Sequence, residues 1–330
     1  MLLSLRRSRL ALLRSVIRAE LVNIGRAPKS FSSRTFPRRV GQTNGAMLKF
    51  ASSVLIVVCS LSSFCQLIEA NCNGSYLSKF QDDCGLMDVE PRDGSYILNG
   101  RKKDRREFPW TAQISVVLRG SLFLIRGSGT LISDRHVLTA AHVLESNHGI
   151  SGVYVYLGTD EAKVFDDKDE GWLPVESYCK ESVRFRGEED WAILTLERPV
   201  EFDDYVRPAC WPDSQDLPTN VCYLAGVGVI DDHNTQSRDY NIMQARRTAC
   251  LPGYNRPGVA CFRGAGLYRM SISCFGDSGG GLVCLDDQSD RWFVHGNLFA
   301  GLTFGKPACQ MGQMMLVHSN RRKQLEKCHI

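Results

Sequence analysis

Three short segments of this chain carry residue types that could together activate a nucleophile. They are LTAAH, which ends at His142, DWAIL, which begins at Asp190, and CFGDSGGGLVC, in which Ser278 lies between glycines. A serine hydroxyl attacks a carbonyl only when a neighbouring imidazole takes its proton, and that imidazole needs a carboxylate to fix its tautomer. Glycines beside the serine let backbone N–H groups turn toward an oxygen that becomes negative. The segments therefore predict acyl transfer, with peptide-bond hydrolysis as one form of it.

The run around Ser278 also satisfies G-x-S-x-G, the nucleophile elbow of α/β-hydrolases. In that fold the acid and the histidine follow the serine, and helices alternate with strands. Here only 52 residues follow Ser278, and both His142 and Asp190 precede it. The sequence therefore excludes the elbow.

The elements that must position these residues are short and rich in β-branched side chains. Turn-forming residues separate them, which is typical of an all-β barrel or sandwich. The final HSNRRKQLEK is the one candidate helix. The predicted strands are ISVVL, VYVYL, WAILTL, VCYLAGVGVI, GGLVC and WFVHGNLFAGLTF.

From Ile97 to its end the chain resembles the chymotrypsin and trypsin family, on the order and approximate spacing of these motifs. The resemblance implies two six-stranded antiparallel β-barrels, and we expect a short C-terminal helix beside them. It implies that His142 acts as general base and then acid, that Asp190 orients it and that Ser278 attacks the scissile carbonyl. The backbone N–H groups of Gly276 and Ser278 would form the oxyanion hole.

The segment that begins at Ile97 resembles the amino terminus that the family exposes on zymogen activation. The freed ammonium of Ile97 would pair with Asp277, since a buried charge is tolerated when its partner is there. The family cuts after arginine or lysine, whereas Tyr96 precedes Ile97 here. We therefore expect a chymotrypsin-like activating protease or another form of regulation. A cut in the basic stretch 101–106 would destroy the Ile97 terminus.

Eleven of the thirteen cysteines follow residue 70, none in a C-x-x-C pair, which predicts disulfides in an oxidising compartment. In the family a bridge joins the positions of Gly127 and Val143, so both of its halves are missing here. Cys179 and Cys328 are left over in regions that the family's fold brings together, and Cys72 stays unassigned. The expected pairs are Cys84–Cys210, Cys222–Cys284, Cys250–Cys261, Cys274–Cys309 and Cys179–Cys328.

The resemblance also places a substrate pocket. Ile272 stands six residues before Ser278, where a preference for arginine requires an aspartate. An apolar pocket base leaves a cationic side chain desolvated and unpaired, which predicts an apolar residue before the scissile bond. Thr303, Phe304 and Gly305 would form one wall of the pocket.

We interpret the first 96 residues as targeting and processing segments. Phe50 to Ile68 carries no charge, and Ala70 offers a small residue for cleavage, so residues 47–70 are interpreted as a signal peptide. Residues 1–46 form a basic extension that also resembles a mitochondrial transit peptide, or they precede the true start at Met47. The alternative interpretation of residues 47–70 is a signal anchor that is not cleaved, which would make the chain a type II membrane protein.

Residues 71–96 are interpreted as a pro-segment with a glycosylation sequon at Asn73, and residues 97–330 as the protease domain. We expect no cofactor, metal or nucleic acid, and the acidic loop 160–170 is interpreted as solvated rather than calcium-binding. The expected partners are protein or peptide substrates, an activating protease and a protein inhibitor, for a monomeric chain. Two hypotheses stay open: a secreted serine endopeptidase, and a non-catalytic homologue that serves as a binding or signalling module.

Overall fold

The computed structural model describes residues 76–89, 101–102, 104, 106–121, 124–181, 189–213, 222–228, 238–264, 274–302, 314–319 and 322–330. These residues form thirteen β-strands and one α-helix, α1 (Arg322–Cys328). The strands are β1 (Arg101–Lys102), β2 (Thr111–Leu118), β3 (Leu124–Leu131), β4 (His136–Thr139), β5 (Ile150–Tyr156), β6 (Trp172–Lys180), β7 (Ala192–Leu196), β8 (Cys222–Gly226), β9 (Asn241–Thr248), β10 (Val259–Gly264), β11 (Gly281–Asp286), β12 (Arg291–Leu302) and β13 (Met314–Ser319).

Six strands close into a first barrel in the order β2-β3-β4-β7-β6-β5. All of its pairings are antiparallel, and β2 lies between β3 and β5. Alternate residues of β2 point inward, so Ala112, Ile114 and Val116 are fully buried. They pack with inward side chains of β4 and β7 such as Leu138 and Ile193, which face each other across the two strands.

The second sheet has the order β1-β9-β10-β13-β12-β11-β8, and β8 also pairs with β9. This extra pairing curls six of its strands into a ring and leaves the two-residue β1 outside it. Apolar side chains of successive strands fill the inside, among them Leu224, Met243, Phe262 and Leu282. The sheet and the first barrel confirm the prediction of an all-β fold of the chymotrypsin type.

An aromatic cluster joins the two sheets. Phe108 and Trp110 lie just before β2, and Trp292 belongs to β12. The ring centroids of Phe108 and Trp292 are 5.5 Å apart in an edge-on arrangement, and Tyr223 of β8 lies 5.2 Å from Phe108. Because Phe108 and Trp110 are almost completely buried, the chain segment that enters the first barrel also anchors the second sheet.

Disulfides link segments of this framework that are distant in sequence. The structure contains Cys84–Cys210, Cys179–Cys328, Cys222–Cys284 and Cys250–Cys261, which are four of the five expected pairs. Cys274 is disulfide-bonded as well, and its expected partner Cys309 lies outside the described residues.

The described part of the expected pro-segment makes polar contacts with both the first barrel and the second sheet. The Tyr76 hydroxyl donates to the Asp134 carboxylate at 2.8 Å. Nη1 of Arg291 donates to the carbonyl oxygens of Gln81, Asp82 and Cys84. The segment is therefore held by Arg291 as well as by the Cys84–Cys210 disulfide.

Helix α1 begins four residues later than the expected helix. His318 and Ser319 are the last residues of β13, where they pair with Asn297 and Gly296 of β12. Leu325 of α1 is buried. No helix among the described residues is long and apolar enough to cross a membrane.

Candidate active site

A short 3₁₀ turn brings His142 to the surface of the first barrel. Strand β4 ends at Thr139, and the turn spans Ala141–Leu144. Ala141, Val143 and Leu144 are buried, so they fix the turn while the imidazole keeps 35% of its side chain exposed. A fixed backbone with an accessible ring is the arrangement that a proton-transferring histidine requires.

The Asp190 carboxylate holds His142 at two points. Its Oδ2 lies 2.7 Å from Nδ1 of the imidazole, and its Oδ1 accepts from the backbone N–H of His142 at 2.9 Å. The Asp190 side chain is only 5% exposed. Since a carboxylate accepts hydrogen bonds, this contact places the proton of the neutral ring on Nδ1 and leaves Nε2 as a base.

The backbone at Asp190 is fixed by groups outside the first barrel. Glu189 adopts a φ of +64°, which non-glycine residues rarely adopt, and its carboxylate binds Nζ of Lys323 in α1 at 2.8 Å. Nδ2 of Asn297, on β12, donates to the Asp190 carbonyl oxygen at 2.9 Å. The second sheet and the C-terminal helix thus position a residue that serves the first barrel.

Ser278 lies in a tight turn that precedes β11 and packs against the segment leading to His142. Gly279 has a φ of +87°, and a Cβ added there would overlap Thr139 Oγ1 and lie 2.9 Å from the Ala140 nitrogen. Only glycine allows this approach. The Ser278 carbonyl oxygen accepts from the backbone N–H of Ser128 at 2.8 Å. The turn that contains the serine therefore rests directly on β3 and on the chain just before His142.

Gly127 and Val143, which replace the two expected cysteines of the missing bridge, are neighbours. A Cβ added at Gly127 would lie 2.7 Å from Cγ1 of Val143 and 3.3 Å from the Ser278 carbonyl oxygen. Val143 thus occupies the space beside Gly127, at a point that also borders the serine turn.

The Asp277 carboxylate is buried beside two glycines at the end of β8 and just beyond it. Its Oδ1 accepts from the Gly228 N–H at 2.8 Å, and its Oδ2 accepts from the Cys274 N–H at 2.8 Å. A Cβ at Gly226 or Gly228 would overlap the carboxyl group. Burial raises the pKa of Asp277 from 3.8 to about 7, although the two backbone hydrogen bonds oppose this. A positive charge placed beside this carboxyl group would favour its ionised form.

Comparison with known proteins assigns the family. The sequence model of trypsin matches residues 97–319. The chain belongs to the trypsin family. It is also 32% identical, over 197 residues, to thrombin-like enzyme bilineobin of Agkistrodon bilineatus. The aligned region covers 57% of this chain and 80% of bilineobin.

Several residues expected to act in this trypsin-family chain fall outside the described part. They are Ile97 of the expected amino terminus, Asn73 of the sequon and the pocket residues Ile272, Thr303, Phe304 and Gly305. Gly276, expected in the oxyanion hole, is described, and its φ of +98° is one that favours glycine. Among the described residues, no group of three or more histidine, cysteine or acidic side chains is arranged to hold a metal ion.

Sequence reasoning missed how β12 contributes to the trypsin-family site. The Gly279 N–H donates to the Leu298 carbonyl at 2.7 Å, and the Leu298 N–H donates to the Gly280 carbonyl at 2.9 Å. Strand β12 therefore runs along the serine turn five residues before the expected wall at Thr303. Asn297 of β12 is fully buried, but no sequence motif marks its contact with Asp190.

Proposed function

We propose that this trypsin-family chain is a secreted serine endopeptidase that hydrolyses peptide bonds through His142, Asp190 and Ser278. The observation that carries the proposal is the two-point contact between Asp190 and His142, which leaves Nε2 of the imidazole as the available base. The packing of the Ser278 turn against Thr139 and Ala140 supports a nucleophile close to that base.

In the proposed reaction, Oγ of Ser278 bonds to the scissile carbonyl carbon as Nε2 of His142 takes its proton. The carbonyl oxygen becomes negative, and the N–H groups of Gly276 and Ser278 bind it. The imidazolium then gives the proton to the leaving amine, and an acyl-enzyme remains. Water then attacks the acyl carbon and loses a proton to Nε2. The bond between this carbon and Oγ breaks, the carboxylic acid product leaves, and Nε2 returns the proton to Oγ of Ser278. The Asp190 carboxylate stabilises the imidazolium in both steps.

We propose that the enzyme is made as a zymogen cut before Ile97. The trypsin match begins at this residue. The environment of Asp277 supports the proposal, because burial disfavours its ionised form and an ammonium group beside it would restore that form. Since Tyr96 is the residue before the cut, the activating protease would prefer aromatic side chains.

The apolar preference and the secreted location belong to the same proposal. Ile272, which the family resemblance assigns to the pocket base, supports cleavage after apolar residues. The side chain of Phe275, 66% exposed beside Gly276, adds apolar surface next to the site. Disulfides at nine described cysteines support an oxidising compartment, reached through a signal peptide at residues 47–70.

A non-catalytic homologue is the second candidate, and Tyr96 is the observation that favours it. A chain that the usual activating proteases cannot cut could keep the fold as a binding module. The intact set of His142, Asp190 and Ser278 supports the enzyme instead.

Labelling with a fluorophosphonate probe, before and after limited chymotrypsin treatment, tests the proposal. We expect labelling at Ser278 after a cut before Ile97, and none in the matched control Ser278→Ala. Amino-terminal sequencing of the treated protein identifies the cut. Absence of labelling in both states, with the Ile97 terminus present, would overturn the enzyme and favour the binding module.

A further inference from the structure

Ser128 of β3 makes an unusual set of contacts beneath the serine turn. It is 1% exposed. Its hydroxyl donates to the Gly276 carbonyl oxygen at 2.9 Å and accepts from the Val227 N–H at 3.2 Å. Its backbone N–H donates to the Ser278 carbonyl oxygen at 2.8 Å. Ser128 of the first barrel therefore binds Gly276 and Ser278, which flank Asp277. It also binds Val227, which directly follows β8.

Ser128 is itself fixed. Oγ1 of Thr139 donates to the Ser128 carbonyl oxygen at 2.9 Å, and Thr139 ends the strand that leads to His142. Gly279 packs so closely on the same two residues that a Cβ there would overlap both. The hydroxyl of Ser128 is therefore held at a defined place relative to both His142 and the serine turn.

The serine turn needs such support. Gly276 and Gly279 both have positive φ values, and glycine samples more backbone conformations than any other residue. The Gly276 carbonyl shares its peptide plane with the Asp277 N–H, which donates to the Cys274 carbonyl at 3.1 Å. A rotation of this plane would change ψ of Gly276 and φ of Asp277, and the flanking N–H groups of Gly276 and Ser278 would change direction relative to each other. A hydroxyl that donates to this carbonyl and accepts from a third segment restricts that rotation.

We propose that Ser128 is a positioning residue, whose hydroxyl fixes Gly276 and so aims the backbone N–H groups of the serine turn at the oxyanion. This inference rests on the proposed function. The hydroxyl touches neither the substrate nor the reacting atoms. Its loss would weaken the binding of the tetrahedral state more than the binding of the ground-state substrate, because the oxyanion is present only in the former.

The test compares the Ser128→Ala protein with the wild type, both cut before Ile97. Steady-state kinetics with an apolar peptide substrate give kcat and KM, and a peptide boronic acid reports binding of a tetrahedral adduct. We expect kcat to fall by roughly tenfold to a hundredfold, which is less than the loss of an oxyanion donor itself. The affinity for the boronic acid falls in parallel, and KM stays within about twofold.

Ser115→Ala is the matched control. Ser115 lies on the neighbouring strand β2, is also 1% exposed, and its hydroxyl has no hydrogen-bond partner among the described residues. Its removal deletes a buried hydroxyl without touching the serine turn. We expect kcat, KM and the affinity for the boronic acid to equal those of the wild type.

The outcomes are distinguishable. If the wild type is active and the Ser128→Ala protein is equally active, the positioning role is overturned and the proposed function stands. The same holds if the Ser128→Ala protein loses only thermal stability. If the wild type neither turns over substrate nor reacts with a fluorophosphonate after cleavage, the proposed function fails and this inference fails with it. Should Ser128→Ala not fold, Ser128→Gly, which also removes the hydroxyl, is measured by the same criteria.

Discussion

Asp190 binds both the backbone and the side chain of His142, with one carboxylate oxygen for each. The distances are 2.9 Å from the backbone nitrogen to Oδ1 and 2.7 Å from Nδ1 to Oδ2. A single carboxylate thereby fixes the position of the turn, the rotation of the ring and its tautomer.

Replacement of Asp190 by asparagine is expected to abolish most activity without unfolding the protein. The amide can accept from the His142 backbone, but its NH₂ group would then donate to Nδ1 and select the other tautomer. We expect kcat to fall by roughly four orders of magnitude. Peptide hydrolysis and thermal unfolding are the measurements. Asp166→Asn, in the exposed acidic loop, is the control, and an Asp190→Asn protein with a tenth of wild-type activity would contradict the assigned role.

The uncut chain is expected to lose stability as the carboxyl of Asp277 ionises. Because burial raises the pKa of Asp277 to about 7, this carboxyl binds its proton more tightly in the folded than in the unfolded chain. The resulting stabilisation is complete below about pH 4, declines as the pH rises and is lost above about pH 7.

The measurement is the difference in melting temperature between Ser278→Ala and Ser278→Ala/Asp277→Asn, taken across this pH range. As the pH rises to about 7, the melting temperature of the protein that retains Asp277 should fall relative to that of the Asp277→Asn protein. Above about pH 7 the difference should stay constant. After cleavage before Ile97 we expect the shift to shrink, because the new ammonium favours the ionised carboxylate. A difference independent of pH in the uncut chain would refute the raised pKa.

A disulfide is expected to form if both residues of the missing bridge are replaced by cysteine. Gly127 borders Val143 so closely that a new side chain there would contact it. The double variant Gly127→Cys/Val143→Cys should lose two hydrogens by mass spectrometry and gain up to about 3 kcal/mol in the free energy of unfolding, as closure of a loop of this length gives. Gly127→Cys alone should be destabilised by overpacking. Free thiols in the purified double variant would show that the two positions are wrongly placed.

Asn297→Leu is expected to lower activity with little change in stability. The variant loses the hydrogen bond to the Asp190 carbonyl, but it also removes a buried side-chain oxygen that has no partner among the described residues. These effects offset each other, so the free energy of unfolding should change by no more than about 1 kcal/mol. A misplaced Asp190 should lower kcat between roughly tenfold and a hundredfold. Denaturant unfolding and kinetics separate the two effects, and unchanged kcat would mean that Asn297 does not position Asp190.

Local sequence predicted six of the thirteen strands, but not where those strands end. The alternating apolar residues of ISVVL and VYVYL predict β2 and β5 because strand periodicity is a local property. VCYLAGVGVI reads as one long strand, yet β8 ends at Gly226, because the N–H of Gly228 turns to the Asp277 carboxylate 49 residues away.

The supporting residues of the candidate site could not be predicted from the sequence. Ser128 is a small residue between two glycines, and nothing near it in the chain indicates a role. Its hydroxyl partners are 99 and 148 residues away. His142 and Asp190 were recognisable because family motifs surround them, whereas Ser128 and Asn297 acquire their contacts only when the two sheets come together.

The Cys84–Cys210 bridge determines what an activating cut would release. It joins the segment before residue 97 to the chain beyond the first barrel. Arg291 also binds this segment through hydrogen bonds to three of its carbonyl oxygens. A single cut before Ile97 would create a second polypeptide without freeing a peptide. The processed enzyme would migrate as one species until a reductant separates its light and heavy chains, so activation would leave no diffusible fragment to mark it.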